Sequence, residues 1–357
     1  MKRPHLVHFL AIETKDSLNV RAFATYLTQK PGPFWDPRFL VQISPLNSIG
    51  LLRSYRFRFQ FIGQDSQKNV IFSKTMESDP FGVFTFKIPL IAGGQRAQRL
   101  TVYDIGTYPG LELHVGTYLP LILESPKKIV ITDFDRTLVE TKYSTSAEIY
   151  RSLTEPLSSY PAVPASVTLL KDYITRDYHP FVVSASPHFY EDAIRDWLYQ
   201  HEIFTAGIFL KDYRSFFSPR YGMLRPKDVH AQGLHKLGRL LDIILMTGAP
   251  DEVALLGDTF ESDLIIYLAF ASILHNEYPP WFIWNELKRE EPFRLVGRQH
   301  SHLLNKLYSV SNILRDAKVK PRLNIHIRAK NREEIEHTEM TMDFLAKKLP
   351  LVNFYLP

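Results

Sequence analysis

Asp133-Phe134-Asp135-Arg136-Thr137 sets two carboxylates one residue apart, directly after the apolar run Lys128-Ile129-Val130-Ile131-Thr132. Such a run reads as a buried strand, which places both acids at its carboxyl end. Two like charges this close repel unless a cation or a ligand uses them. A divalent cation with a phosphate ester would use both. One Asp can attack phosphorus while the other moves the proton. Asp-rich turns also follow strands in solvated loops, so the motif alone leaves both readings open.

Three more pieces follow in chain order. Phe181-Val182-Val183-Ser184-Ala185-Ser186-Pro187 is a short apolar strand ending in hydroxyls. Leu234-His235-Lys236-Leu237 opens a helical run. Val253-Ala254-Leu255-Leu256-Gly257-Asp258-Thr259-Phe260-Glu261-Ser262-Asp263 is a strand that ends in Gly-Asp, with a second Asp five positions on. These supply an acidic nucleophile, a phosphate-binding hydroxyl, a cation and further metal-binding carboxylates. Every role in phosphoryl transfer then has an occupant. The order resembles the haloacid dehalogenase superfamily of aspartate-nucleophile phosphatases.

The resemblance narrows to the catalytic domain of the actin-patch-type phosphatidate phosphatases. It is carried by Ser184-Ala185-Ser186-Pro187, Gly207-Ile208-Phe209-Leu210-Lys211-Asp212-Tyr213, His235-Lys236, and Gly257-Asp258 with Asp263 and Ile266-Tyr267. In the front half, Ala11-Ile12-Glu13-Thr14 through Val20-Arg21-Ala22-Phe23-Ala24 is similar to that family's opening strand. Ser78-Asp79-Pro80-Phe81-Gly82 through Leu90 is similar to its β-sandwich hairpin. The likeness covers roughly residues 5–270. Three features depart from it. Arg136 stands where that family usually has a third acidic residue. Thr259-Phe260-Glu261 replaces a Ser-Gly-acidic stretch, and 275–318 reads as an insertion.

Residue roles follow from the chemistry together with the resemblance. Asp133 is the expected nucleophile, forming an aspartyl-phosphate, and Asp135 the acid that protonates the leaving oxygen and then activates water. Magnesium is the expected cofactor, because hard oxygen ligands suit it. Its ligands would be Asp133, the Asp135 backbone carbonyl and Asp258, with Asp263 in the inner or outer shell. Ser184 would donate to a phosphoryl oxygen, and Lys236 would neutralise charge shared by Asp133 and the phosphoryl group. Lys227 competes with Lys236, which is preferred because its helix leads into the Asp258 strand. Ser186 competes with Ser184, but Ser186-Pro187 reads better as a helix cap. Thr137 reads as holding the loop more than touching substrate. With Ser186, Arg225 and Lys227 it completes the substrate-binding candidates. His188 and His235 read as polar neighbours, since two aspartates already supply nucleophile and acid.

Composition bounds these readings. At 357 residues the chain suits two domains with separate cores. A hydrophobic content of 45% and an aromatic content of 13% fit a globular protein, and no apolar stretch is long enough to span a membrane. The apolar Leu6–Ile12 run is short, interrupted by His8 and followed by no small-residue cleavage site, so it reads as a first strand. Zero cysteines exclude disulfides, thiolate metal sites and a cysteine-nucleophile phosphatase. A net charge of +5 mildly favours anionic partners.

The elements that must position the acids divide near residue 125. Before it, Tyr55-Arg56-Phe57-Arg58-Phe59-Gln60-Phe61 and Val83–Ile88 alternate with period two, which predicts an all-β sandwich over 1–124. Glu124-Ser125-Pro126-Lys127-Lys128 is the linker. After it, strands alternate with helices, predicting an α/β domain over 125–357 with a Rossmann-like parallel sheet, of the haloacid dehalogenase type without a large cap. Four helices are expected. Their inward residues are Val167, Leu170, Tyr173 and Ile174; Ala193, Ile194, Trp197 and Leu198; Leu234, Leu237, Leu241 and Leu245; and Leu264, Tyr267, Leu268 and Ala271. Leu323–Ile327 is one more strand. Ligands of such sheets sit at the carboxyl ends of strands, where Asp133, Ser184 and Asp258 all fall.

One helix and loops are expected between Thr137 and Ser184. The site is therefore expected to be open, as suits a phosphate presented on a membrane. Tyr213, Arg214, Phe216, Phe217, Arg220, Tyr221, Arg225 and Lys227 interleave aromatic and basic residues, as an interfacial loop would. A packed loop fits the same residues, and Pro280-Trp281-Phe282-Ile283-Trp284 carries the same two readings. The sequence thus predicts a cytoplasmic phosphatase, peripheral at anionic membranes, hydrolysing phosphatidate, with no nucleic-acid partner. Its alternatives are a phosphatase for another phosphomonoester and a catalytically silent lipid- or protein-binding module.

Overall fold

The computed structural model describes residues 3–27, 44–90, 96–108, 110–141, 146–212, 214, 232–259, 262–293, 299–336 and 342–356. The chain forms two compact units, Met1–Glu124 and Ser125–Pro357.

Among its described residues the first unit has eight strands: β1 (Arg3–Glu13), β2 (Ser17–Leu27), β3 (Arg58–Gln64), β4 (Val70–Glu77), β5 (Val83–Pro89), β6 (Arg99–Asp104), β7 (Leu113–Tyr118) and β8 (Leu121–Ile122). They make two four-stranded sheets, ordered β5-β2-β1-β8 and β4-β3-β6-β7. Alternation decides which side chains face inward. Leu18, Val20 and Ala22 from one sheet meet Phe59, Phe61, Leu100 and Val102 from the other in one buried cluster. Phe59 stacks on Phe84 with centroids 5.0 Å apart, and Phe61 meets Phe86 edge-on at 4.8 Å. The result is sandwich-like. The Tyr55–Phe61 run enters its ladder only at Arg58. Its first residues turn aside because Tyr55 and Phe57 pack on Tyr26, each at 4.9 Å, and the Ser78 hydroxyl takes the Phe57 N–H at 3.0 Å.

The second unit is mixed α/β. Its chain order is β9 (Lys128–Thr132), α1 (Ser146–Thr154), α2 (Pro164–Thr175), β10 (His179–Pro187), α3 (Glu191–Gln200), β11 (Gly207–Lys211), α4 (Gln232–Thr247), β12 (Glu252–Asp258), α5 (Asp263–Leu274), α6 (Pro280–Leu287), α7 (Gln299–Ala317), β13 (Arg322–Arg328), α8 (Arg332–Glu336), α9 (Asp343–Ala346) and β14 (Val352–Tyr355). The six strands lie in the order β11-β10-β9-β12-β13-β14, every pair parallel. The chain builds outward from β9 through β10 to β11, then returns to the other side of β9 with β12. The order therefore reverses between β9 and β12, which opens a crevice at their carboxyl ends. Ile129, Val130 and Ile131 of β9 and Val253–Leu256 of β12 are buried on both faces, as central parallel strands must be.

Several sequence expectations shift. Two helices and a short 3-10 turn, Leu157–Ser159, occupy the stretch between Thr137 and Ser184, where one helix was expected. The inward stripe of α4 is Leu237, Leu240, Leu241 and Ile244; Leu234 and Leu245 are only half-buried. This face is broader than a one-per-turn leucine stripe because α4 packs against two helices and β10 at once. Leu264 of α5 is likewise half-buried. The 275–318 segment folds into α6 and α7, and α7 buries Leu303, Leu307, Val310 and Leu314 at helical spacing. Within α6, Ile283 and Trp284 are buried while Trp281 is 53% exposed, so the two readings of this segment divide between its faces. Among the described residues, no helix is long and apolar enough to cross a membrane.

Candidate active site

The acids gather where the strand order reverses. Asp133 is the first residue past β9, and its N–H donates to the Leu256 carbonyl at 2.8 Å, which ties it to β12. Asp258 ends β12, and Asp263 opens α5 five residues later. Asp133, Asp258 and Asp263 are 1%, 0% and 0% exposed. Each offers a carboxylate oxygen, and these oxygens all lie within 4.8 Å of one another. Lys236, on α4 and 1% exposed, sets its Nζ 2.6 Å from Asp263 Oδ1 and 3.3 Å from Asp133 Oδ1. Among the described residues, these three buried carboxylates meet one ammonium. An all-oxygen, all-hard donor set of this kind fits a divalent cation such as magnesium.

Gly257 explains how Asp263 comes so close. A Cβ there would stand 2.6 Å from Asp263 Oδ2 and 2.7 Å from the Tyr267 ring, so any side chain would displace them. Tyr267 donates its hydroxyl to the Leu256 carbonyl at 2.9 Å. Burial, and then the neighbouring Asp263, hold its phenol well above its ordinary titration range, so it stays a neutral wall of the site.

Among the described residues, three hydroxyls hold Asp135. Ser184 Oγ and Ser186 Oγ donate to Oδ2 at 3.0 and 2.5 Å, and Thr141 Oγ1 donates to Oδ1 at 2.9 Å. Ser184 has one hydroxyl hydrogen. In this structure that hydrogen goes to Asp135, so Ser184 orients this carboxylate. Ser186 is not a helix cap. The 3-10 turn His188–Tyr190 starts after Pro187 without a side-chain cap, and the Ser186 hydroxyl goes to Asp135. Thr137 is 0% exposed and donates to Asp258 Oδ2 at 3.3 Å, which holds the loop. Arg136 takes φ of 60°, a left-handed conformation sparsely populated by residues other than glycine.

Arg225 and Lys227 lie outside the described residues, as do Tyr213, Phe216, Phe217, Arg220 and Tyr221. Arg214 is described and does not fit an interfacial loop. It is 5% exposed and grips Asp212 through Nε at 2.9 Å and a terminal nitrogen at 2.6 Å. Burial pushes the Asp212 carboxyl up, but Arg214 and His188 bring it below the usual carboxylate range. His188 is buried with Nδ1 3.7 Å from Asp212, a polar neighbour of that pair.

Sequence reasoning missed Thr141 and Arg328. Nothing in the spacing marks Thr141, because it reaches Asp135 through a loop. Arg328 carried a signal that was available, a cation immediately past the alternating Leu323–Ile327 run and so at the carboxyl edge of the sheet.

No family model matches the chain, and no curated protein does. Among solved structures, a calcium-binding mutant of Bacteroides uniformis beta-glucuronidase 2 aligns at 8% identity and a TM-score of 0.24, over 98% of this chain and 39% of its own. Bifidobacterium dentium beta-glucuronidase, complexed with coumarin-3-O-glucuronide, aligns at 9% identity and a TM-score of 0.26, over 95% and 46%. A flavohemoglobin from Malassezia yamatoensis aligns at 11% identity and a TM-score of 0.16, over 71% and 52%. The chain spans about half the length of these proteins or less. Scores this far below one half do not indicate a shared fold, and nothing about this chain follows from them.

Proposed function

We propose that this chain is a magnesium-dependent phosphatase of the haloacid dehalogenase type, working through an aspartyl-phosphate. The observation that carries the reading is the meeting of Asp133, Asp258 and Asp263 with Lys236 in the crevice between β9 and β12. Phosphatidate, hydrolysed to diacylglycerol and phosphate, is the substrate that the sequence resemblance implies.

Asp133, Asp258 and the Asp135 carbonyl would hold the magnesium, with Asp263 outside them because Lys236 already engages it at 2.6 Å. When bound, the ion screens phosphate charge from the attacking carboxylate. Asp133 attacks phosphorus through one carboxylate oxygen as the ester P–O bond breaks. Asp135, oriented by Ser184, Ser186 and Thr141, gives its proton to the leaving oxygen. It then takes a proton from water as that water attacks the aspartyl-phosphate, which releases phosphate and restores Asp133. Lys236 neutralises charge on Asp133 throughout.

The test is phosphate release from phosphatidate vesicles and from soluble phosphomonoesters, with magnesium and after exhaustive chelation. Release that needs magnesium supports the reading. Preference for a soluble ester would move the substrate to another phosphomonoester. No release from any member of the panel would leave the silent binding module.

A further inference from the structure

Arg328 ends β13 and stands beside Asp258 in the parallel register. It is 4% exposed. Its guanidinium crosses to the loop after β9. One terminal nitrogen donates to the Arg136 carbonyl and the other to the Glu140 carboxylate. The pair is closed at one end and open at the other, with side chains 5% and 41% exposed. The Arg328 carbonyl also accepts the Thr259 N–H at 3.0 Å, which secures the turn after Asp258. One residue therefore fixes both of the loops that meet at the cluster.

The Arg136 peptide is where this hold matters. Its left-handed conformation persists only if its surroundings over-determine it. Among the described residues, the Arg136 N–H on the Val139 carbonyl at 2.7 Å and Arg328 on the Arg136 carbonyl contribute to this. The planar fork of a guanidinium suits this task, since it can serve a carbonyl and a carboxylate together. Release of that carbonyl would let the Arg136–Thr137 peptide turn and loosen the left-handed Arg136, the residue that fixes how the chain leaves Asp135.

We infer that Arg328 is a positioning residue for the phosphoryl-transfer loop. It acts through the Arg136 peptide to keep Asp135 aligned for both proton transfers, and it does not touch substrate. The inference rests on the phosphatase reading above. It differs from a purely structural strand-end ion pair in what it predicts for turnover.

The full chain is compared with Arg328→Met, Arg328→Lys and Glu140→Gln. Kinetics use a small soluble phosphomonoester in magnesium, hydrogen exchange is followed across residues 133–141, and thermal unfolding checks each fold. Arg328→Met lowers kcat by about 30-fold or more while KM stays within about threefold, the pattern of a group that serves only the transition state. Arg328→Lys recovers part of that loss, because an ammonium can serve one of the two acceptors. Glu140→Gln loses less than Arg328→Met, and exchange over 133–141 quickens in both. A folded Arg328→Met with wild-type kcat overturns the proposal, and so does a loss carried mainly in KM. If Arg328→Met does not fold, unchanged kcat and exchange in both Arg328→Lys and Glu140→Gln overturn it. If the wild-type chain releases phosphate from no ester, the phosphatase reading falls. Exchange then decides alone, and unchanged protection over 133–141 overturns the positioning role as well.

Discussion

The three hydroxyls that Asp135 accepts among the described residues are not equivalent. Ser186 makes the shortest contact, at 2.5 Å, while Ser184 also accepts the Ser186 N–H at 3.0 Å. Ser184→Ala should therefore disturb both the acid and the strand end, and lower kcat more than Thr141→Ala does. Equal effects in steady-state assays would contradict that ranking. Lys236 makes a sharper case. Lys236→Met would take the ammonium away from buried Asp133 and Asp263, and breaking a buried ion pair from one side destabilises by about 3–5 kcal/mol. Magnesium should restore part of this loss, because it binds the folded state alone. Thermal unfolding of Lys236→Met with and without magnesium checks this, and a melting temperature equal to wild type in both would contradict it. The two aspartates, the serines and Lys236 were legible as residue types at strand ends and a helix start. Their partners were not, because hydrogen bonds such as Thr141 to Asp135 and Arg328 to Arg136 depend on how a loop turns in space.

At the scale of elements, β12 and α5 act as one device. Gly257 lets α5 press against the strand, which brings Asp263 to Lys236 and to the Asp258 N–H. Gly257→Ala should push Asp263 away and raise the magnesium needed for half-maximal activity by about 10- to 100-fold, the usual effect of disturbing a ligand's support. An unchanged requirement would show that Asp263 is not part of that support. The alternating strands and the strand–helix rhythm were readable from period alone, as at β5 and α3. The α4 stripe was misplaced because its burial is set by several neighbours, which one helix cannot report. In the first unit, β1 ends on Glu13, a carboxyl at 0% exposure with Arg96 at 3.6 Å. Burial, partly offset by Arg96, raises it above its ordinary 4.5. A raised carboxyl favours the protonated folded state, so this group's contribution is full below pH 4.5 and is lost as pH rises through the folded value. Glu13→Gln should accordingly gain stability relative to wild type at neutral pH and match it near pH 4. Thermal unfolding across that window measures it, and a variant less stable than wild type at pH 7 would contradict it.

For the whole molecule, the sequence carried the change of rhythm near residue 125, and the chain forms compact units on either side of Glu124–Ser125. The order in which β9 to β14 assemble was not legible, because six parallel strands can be arranged in many ways with the same helices between them. That order is what creates the crevice, by turning the chain back beside β9. In the proposed reaction Asp133, placed at this reversal, bonds covalently to phosphorus. The most direct measurement is mass spectrometry of the chain acid-quenched during turnover, with peptides mapped for phosphate. Phosphate is expected on the peptide bearing Asp133 in the wild-type chain, more of it in Asp135→Asn, whose intermediate hydrolyses slowly, and none in Asp133→Asn. Phosphate retained in Asp133→Asn, or turnover by that variant at the wild-type rate, would contradict it.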